Sequence, residues 1–536
     1  MDNLMSVILT LGSPTLADYS LFVTLLNARW VNNKLFSRID YPSSKVRLSV
    51  VRVLSSLQQV PLRVHPGRSA HFESLVVHPD NDNWWITLAK ALNYSHTWSI
   101  SSITSIAWVV VAYLLTVADS LSNVADSLHS NGQGTGSVWL WLLPIVIGWL
   151  ILSPKCDYAR VDDAYNRANQ QLFVADSRDA TAPILVTCNS GLTISSSPDE
   201  PYGRNITSPD ESRIPPVFNY ARTLPWSRTV YLTSLFYRKA WRKSSRNHVG
   251  VDGNRIPRNV PRNEVPRESR LGNRDQVYDY CHHEDPGINV IWHRGVLFNM
   301  IVASLMSLQL QWGTTSAAII AAWFTPTIGL GCRSLAYLIY GFLSTTVWIL
   351  LLLSSVLGYY AHHLEDLPIP DLESDEQHAS PASISEGSDG ILLPRIPTLH
   401  VDEVGTPPDT DEPASITAIK HSHTGWPGIH AQTIARVSDW LRWIGKSLAI
   451  VNAVGIVTNS VFQYSGLYNN CFCDSSIFKW GMSSAFNVIS PMQNDIDLAK
   501  SAWFGALALG WICCTFFVGS IYMIRDSVPP ENDSLE

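Results

Sequence analysis

The chain has 536 residues, a formal net charge of −7, 46% hydrophobic residues and only 15% charged ones. Soluble domains carry roughly 25% charged residues, and here the charge is gathered into a few segments. Composition therefore argues against a water-soluble enzyme or a basic nucleic-acid-binding protein and predicts an all-α integral membrane protein, a bundle of six or seven transmembrane helices.

Residues 1–97 read as an N-terminal cytoplasmic or interfacial helical region. Within them, 4–28 are largely apolar but contain Gly12, Pro14 and Asp18. The Met-Asp start lacks the basic opening of a cleaved signal. The stretch reads as a packed or interfacial helix, with a seventh spanning or re-entrant helix as the alternative. Val46, Val50, Val53, Leu54 and Leu57 recur at helical spacing, and Asp80 to Asn83 before Trp84 and Trp85 is a helix-start signal.

Residues 91–118, 295–332, 334–361, 447–473 and 501–524 contain no Asp, Glu, Lys or Arg. About 20 apolar residues span a bilayer core. Spans are predicted near 99–118, 296–318, 335–360, 443–463 and 502–523, with a sixth, shorter one at 137–153 around Pro144. They fall in segments 98–153 (helices 1–2), 295–361 (helices 3–4) and 440–524 (helices 5–6), before a tail at 525–536. Basic residues concentrate between helices 2 and 3, which puts both termini on the cytoplasmic side of a plasma membrane or endomembrane.

Two linkers separate these segments. Residues 154–294 read as a basic, largely disordered linker, with thirteen Lys/Arg against three Asp/Glu between Arg222 and Arg274. Trp226, Val230, Tyr237, Ala240 and Trp241 interleave with Arg238, Lys239, Arg242, Lys243 and Arg246, a pattern that suits a helix on an anionic lipid surface. A solvated basic linker is the alternative; no nucleic-acid module accompanies the charge. Residues 362–439 read as an acidic, Pro/Ser-rich disordered linker.

Few constellations carry chemistry. Cys281, His282, His283 and Glu284 are metal-ligand types, but adjacent ligands are geometrically awkward and no second cluster follows, so no metal and no cofactor is expected. Thr327, Gly329, Gly331 and Arg333 belong to an outer turn. Its T-I-G-L-G string resembles a potassium filter, but too few residues surround it for an outer helix and a pore helix. Cys332, Cys471 and Cys473 share that side, where a disulfide is permitted. Helix 3 carries Asn299, Ser307 and Gln311 on one face, and helix 5 carries Asn452, Gly455 and Asn459. Such faces line a solute path or pack helix against helix. No Asp, Glu, Lys or Arg falls inside a predicted span beyond Lys446 in the first turn of helix 5, which leaves a mid-membrane proton relay unsupported.

Several strings resemble a family of uncharacterised multi-pass membrane proteins of filamentous and mushroom-forming fungi: Tyr19 to Trp30, Ser56 to Arg63, Asn83 to Trp85, Thr97 to Thr116, Trp139 to Asp157, and Gln311 to Ser334. The resemblance implies a fungal source and a multi-pass fold, and no activity. Three classes of function stay open: a membrane scaffold or interaction protein first, then a transporter or channel for a small or neutral solute, then a membrane-embedded enzyme.

Overall fold

A computed structural model describes residues 2–60, 71–93, 100–128, 134–176, 183–185, 208–256, 265–281, 294–326, 328–365, 431–465 and 492–525. The acidic linker falls almost wholly outside them. Four helices are long and apolar enough to cross a membrane: α13 (Arg294–Trp323), α14 (Cys332–Glu365), α15 (Ala431–Tyr464) and α16 (Gln493–Arg525). They alternate in direction. α14 and α15 pair antiparallel, joined at one end by Tyr337 donating to Gln463 and at the other by Ser354 and Ser438. Each of those serine hydroxyls donates to the other's carbonyl, at 2.8 and 2.7 Å, which lets the backbones approach closely. Trp503 against Thr325 and Cys513 against Gly313 set α16 antiparallel to α13.

The two remaining predicted spans are helical but have shorter apolar stretches than the other four. α6 (Ile100–Ser122) has an apolar portion of 17 residues. The 137–153 stretch divides into α8 (Gly134–Val138), a turn and α9 (Leu142–Leu152). Eleven residues of helix reach about 16 Å, half a bilayer core.

At the N-terminus the structure favours the packed and re-entrant readings over the interfacial one. α1 (Asp2–Gly12) and α2 (Pro14–Trp30) are one helix broken by a 105° bend. Ser13 caps α2 by accepting from Leu16 N–H, and Pro14 occupies the first helical position, where its missing N–H costs nothing. α2 is no interfacial helix: from Pro14 to Trp30 only Leu26, Ala28 and Arg29 escape full burial. It runs antiparallel to α13, with Asn27 meeting Asn299 and Trp30 seated on Gly295. Asp2 pairs with Arg213 at 3.0 Å, so α1 begins on the side where α2 ends. The broken helix enters the bundle and turns back.

On that same side the chain builds a folded collar from both regions flanking α6–α9. It comprises α3 (Ser44–Ser56), α4 (His71–Val77), α5 (Asp82–Ala91), α10 (Tyr158–Asn169), a two-residue hairpin pair β1 (Phe173–Val174) and β2 (Ile184–Leu185), α11 (Asn219–Trp241) and α12 (Arg274–Cys281). The described parts of 154–294 are thus packed elements, a correction to the expected disordered linker. α11 is the collar's central helix. Trp226, Val230, Tyr237 and Ala240 are buried beneath the chain's own N-terminal region, with the Trp226 indole donating to Leu54 O. Trp84, Trp85, Tyr165 and Tyr237 interlock in edge-to-face contacts.

Candidate functional site

The polar side chains of α13 and α15 are turned inward and engaged. Asn299 donates to Asn27 Oδ1 at 3.1 Å, Ser307 donates to Ser304 O, and Gln311 donates to Thr315 Oγ1 at 2.8 Å. Asn452 bridges two elements, donating to Gly12 O at 2.7 Å and Tyr340 O at 3.2 Å. Asn459 is buried, whereas Gly455 faces open space. Three cavities of about 450, 340 and 310 Å³ lie among the described residues, and none of these side chains lines them.

The outer turn is built around Ser334. Its hydroxyl accepts from Gly331 N–H at 3.0 Å and donates to Gly329 O at 3.2 Å. Gly329 has φ 132°, a region closed to other residues. Arg333 is buried and donates to Leu128 O at 3.2 Å. A carbonyl bound to Ser334 does not face an ion path, so the filter-like string is a tight turn here. Thr327 lies outside the described residues.

Cys281 ends α12 in the collar core, its thiol 3.5 Å from Val277 O. Burial first, then the Glu73 carboxylate, pushes that thiol well above its ordinary range. His282, His283 and Glu284 lie outside the described residues, and among the described residues no group of three or more His, Cys, Asp or Glu is placed to hold a metal ion. Cys332 opens α14 half-buried, while Cys471 and Cys473 lie outside the described residues.

The residue that sequence reasoning passed over is Asp18. It sits in the second turn of α2, fully buried, and neither carboxylate oxygen has a hydrogen-bond partner among the described residues. Twelve residues separate it from Trp30, about 18 Å along a helix, which places it deep within the bundle. Tyr340 of α14 and Cys514 of α16 lie within its electrostatic reach. The α1–α2 break beside it is rich in polar contacts. Ser13 donates to Ser344 O at 2.7 Å, Thr15 meets Ser344 Oγ at 3.1 Å, and Tyr340 donates to Leu11 O at 3.1 Å. In the sequence Asp18 stands only as an interruption of the apolar run at 4–28. Only burial of α2 on all sides makes it an ionisable group inside a membrane segment.

A second buried carboxylate ties the collar to α15. Asp210 accepts from Tyr220 Oη at 2.6 Å and pairs with Lys446, with Arg213 at 3.5 Å and with Arg442 at 3.8 Å. Nearby, Arg222 is buried and donates to the carbonyls of Gln59, Ile214 and Pro215 at 2.8, 3.3 and 2.9 Å. Burial pushes its guanidinium down to about 10. These groups fix the joint between collar and bundle.

Compared with known proteins, the chain matches no family model, no curated protein and no solved structure.

Proposed function

We propose that the chain is an integral membrane scaffold, a helical bundle that carries a folded collar against one membrane face as a platform for other molecules. The carrying observation is the engagement of its polar seam. Asn452 clamps the α1–α2 break to α14, and Asn299 clamps α13 to α2. Two of the side chains that would line a solute path, Asn299 and Asn452, hold helices together, while Ser307 and Gln311 bond within α13. In this reading α6 and the α8–α9 stretch complete six crossings around the re-entrant α1–α2, and the collar and both termini face the cytoplasm, where basic residues concentrate. The kinship with fungal multi-pass proteins is part of the same proposal.

One observation favours a second reading, transport coupled to a proton or small cation. An unpartnered carboxyl beside a helix break in the bundle interior is costly, and intramembrane ionisable residues commonly mark ion pathways. Reconstitution separates the two. The full chain and its Asp18→Asn variant are placed in liposomes carrying an imposed pH or sodium gradient, with an internal dye as readout. A scaffold dissipates neither gradient faster than empty liposomes. Dissipation by the native chain that Asp18→Asn abolishes would replace the scaffold with the transporter.

A further inference from the structure

The α2 helix and the α11 helix end in the same way, and their ends meet. Past Trp30 the chain runs on as a single π-helical turn, Val31–Leu35, and past Trp241 α11 does so through Arg242–Arg246. Such turns are rare and recur at functional sites, because the extra residue re-aims the side chains that follow. The cavity of about 450 Å³ lies between them, within the usual range for small-molecule sites.

Its charge is one-sided. Lys34 and Arg38 line one wall and Arg238, Arg242 and Arg246 the other, and no acidic residue lines it. The three arginines stand four residues apart, so they form a column on one helix face, where like charges repel. None of the five is in an ion pair among the described residues; Arg246 lies over the Trp241 ring at 5.4 Å. The neighbouring charges have other partners. Lys243 turns away to Asp279 O, and Asp40 pairs with Arg47 at 3.4 Å. Five cations around one cavity whose lining holds no acidic residue set up a positive field that favours an anion there. Arginine forks match phosphate oxygens two at a time.

We propose that this cavity is a binding site for a ligand bearing two or more phosphate groups, either a phosphorylated lipid headgroup or a soluble polyphosphate. Its depth suits both sources. The cavity begins at Asn33, one turn beyond Trp30, and Trp30 rests against Gly295 at the first turn of α13. The site therefore stands at the end of the membrane-crossing helix, at headgroup level, and does not depend on whether the bundle transports anything.

The test uses the full chain in phosphatidylcholine nanodiscs. One arm titrates soluble inositol 1,4,5-trisphosphate; the other adds phosphatidylinositol 4,5-bisphosphate to the discs and counts retained lipid by native mass spectrometry. Arg238→Gln with Arg242→Gln, and separately Arg38→Gln from the opposite wall, are compared with Lys45→Gln plus Arg52→Gln, which removes as much charge from α3. The proposal expects saturable binding in at least one arm, weakened about tenfold or more by the first double variant, weakened by Arg38→Gln, and unchanged by the α3 variant. Binding of the trisphosphate identifies a site that takes soluble phosphates; retention of the lipid alone identifies a headgroup site. Absence of saturable binding in both arms, or equal loss in the α3 variant, overturns it.

Discussion

Arg270 and Asp82, 188 residues apart, form a two-pronged pair, with Nη1 and Nη2 donating to the two carboxylate oxygens at 2.7 and 2.6 Å. Arg270 also donates Nε–H to Val77 O and lies over the Tyr41 ring. Burial is the largest influence and works against its charge, but the Asp82 hydrogen bonds, the Asp82 charge and the nearby Tyr41 and Tyr237 together outweigh it and hold the guanidinium above its ordinary value. The pair closes the collar, because Asp82 opens α5 and Arg270 precedes α12. Removing one partner of a buried pair costs about 3–5 kcal/mol, since the other charge stays behind. Arg270→Met should therefore melt the collar early, and Arg270→Lys should rescue it only in part, for lack of a fork. Thermal unfolding followed by tryptophan fluorescence checks both.

Asp210 joins collar to bundle through Lys446, Arg442, Arg213 and Tyr220. Asp210→Asn removes the counter-charge of Lys446, while Arg213 keeps Asp2 and Arg442 keeps Asp439, and is expected to loosen the joint without unfolding either part. Hydrogen exchange should quicken across residues 208–218 and the first turns of α15, and stay unchanged at Trp84 and Trp85. Asp210→Glu keeps the charge and should exchange nearly as slowly as the native chain.

The helix break depends on a glycine. A Cβ at Gly12 would run into the Ala449 backbone carbonyl, whereas Gly455 on the same helix as Ala449 has open space around it. Backbone cannot move aside as a flexible side chain does, and overpacking of this kind costs about 1–3 kcal/mol or more. Gly12→Ala should lower the yield of folded protein in detergent, measured by size-exclusion chromatography. Gly455→Ala should leave it unchanged.

His78 makes the collar sensitive to acid. Its Nδ1 accepts from Asp80 N–H and its ring stacks on Phe173. Burial holds the imidazole below its ordinary value of 6.5, against the opposing pull of Asp80. Below that ordinary value the unfolded chain takes up a proton that the folded collar resists, so stability is full above about pH 6.5 and falls as pH drops through it. Melting temperatures at pH 7.5 and 5.5 should differ less in His78→Gln than in the native chain.

The long uncharged runs were legible because lipid demands them. Burying every backbone group in apolar surroundings requires continuous helices, and α13 to α16 stand where the runs predicted them. α14 extends to Glu365 and α15 begins at Ala431, beyond the apolar runs, because collar-side polar residues continue both helices. The basic segment was misread for the opposite reason. Its average composition resembles a linker, and Trp226, Val230 and Tyr237 find their partners in residues more than a hundred positions earlier.

Sequence by itself determined the membrane class, the position of the apolar helices and the inward-turned Asn299, Gln311 and Asn452, because each follows from local periodicity and the cost of polar groups in lipid. Tertiary structure alone decided that residues 2–30 form a broken helix inside the bundle, that Asp18 is buried there without a hydrogen-bond partner among the described residues, and that Lys34 and Arg38 face Arg238, Arg242 and Arg246 across one cavity. Those facts depend on what lies beside a residue in space, and contacts between segments two hundred positions apart leave no periodic trace in either one.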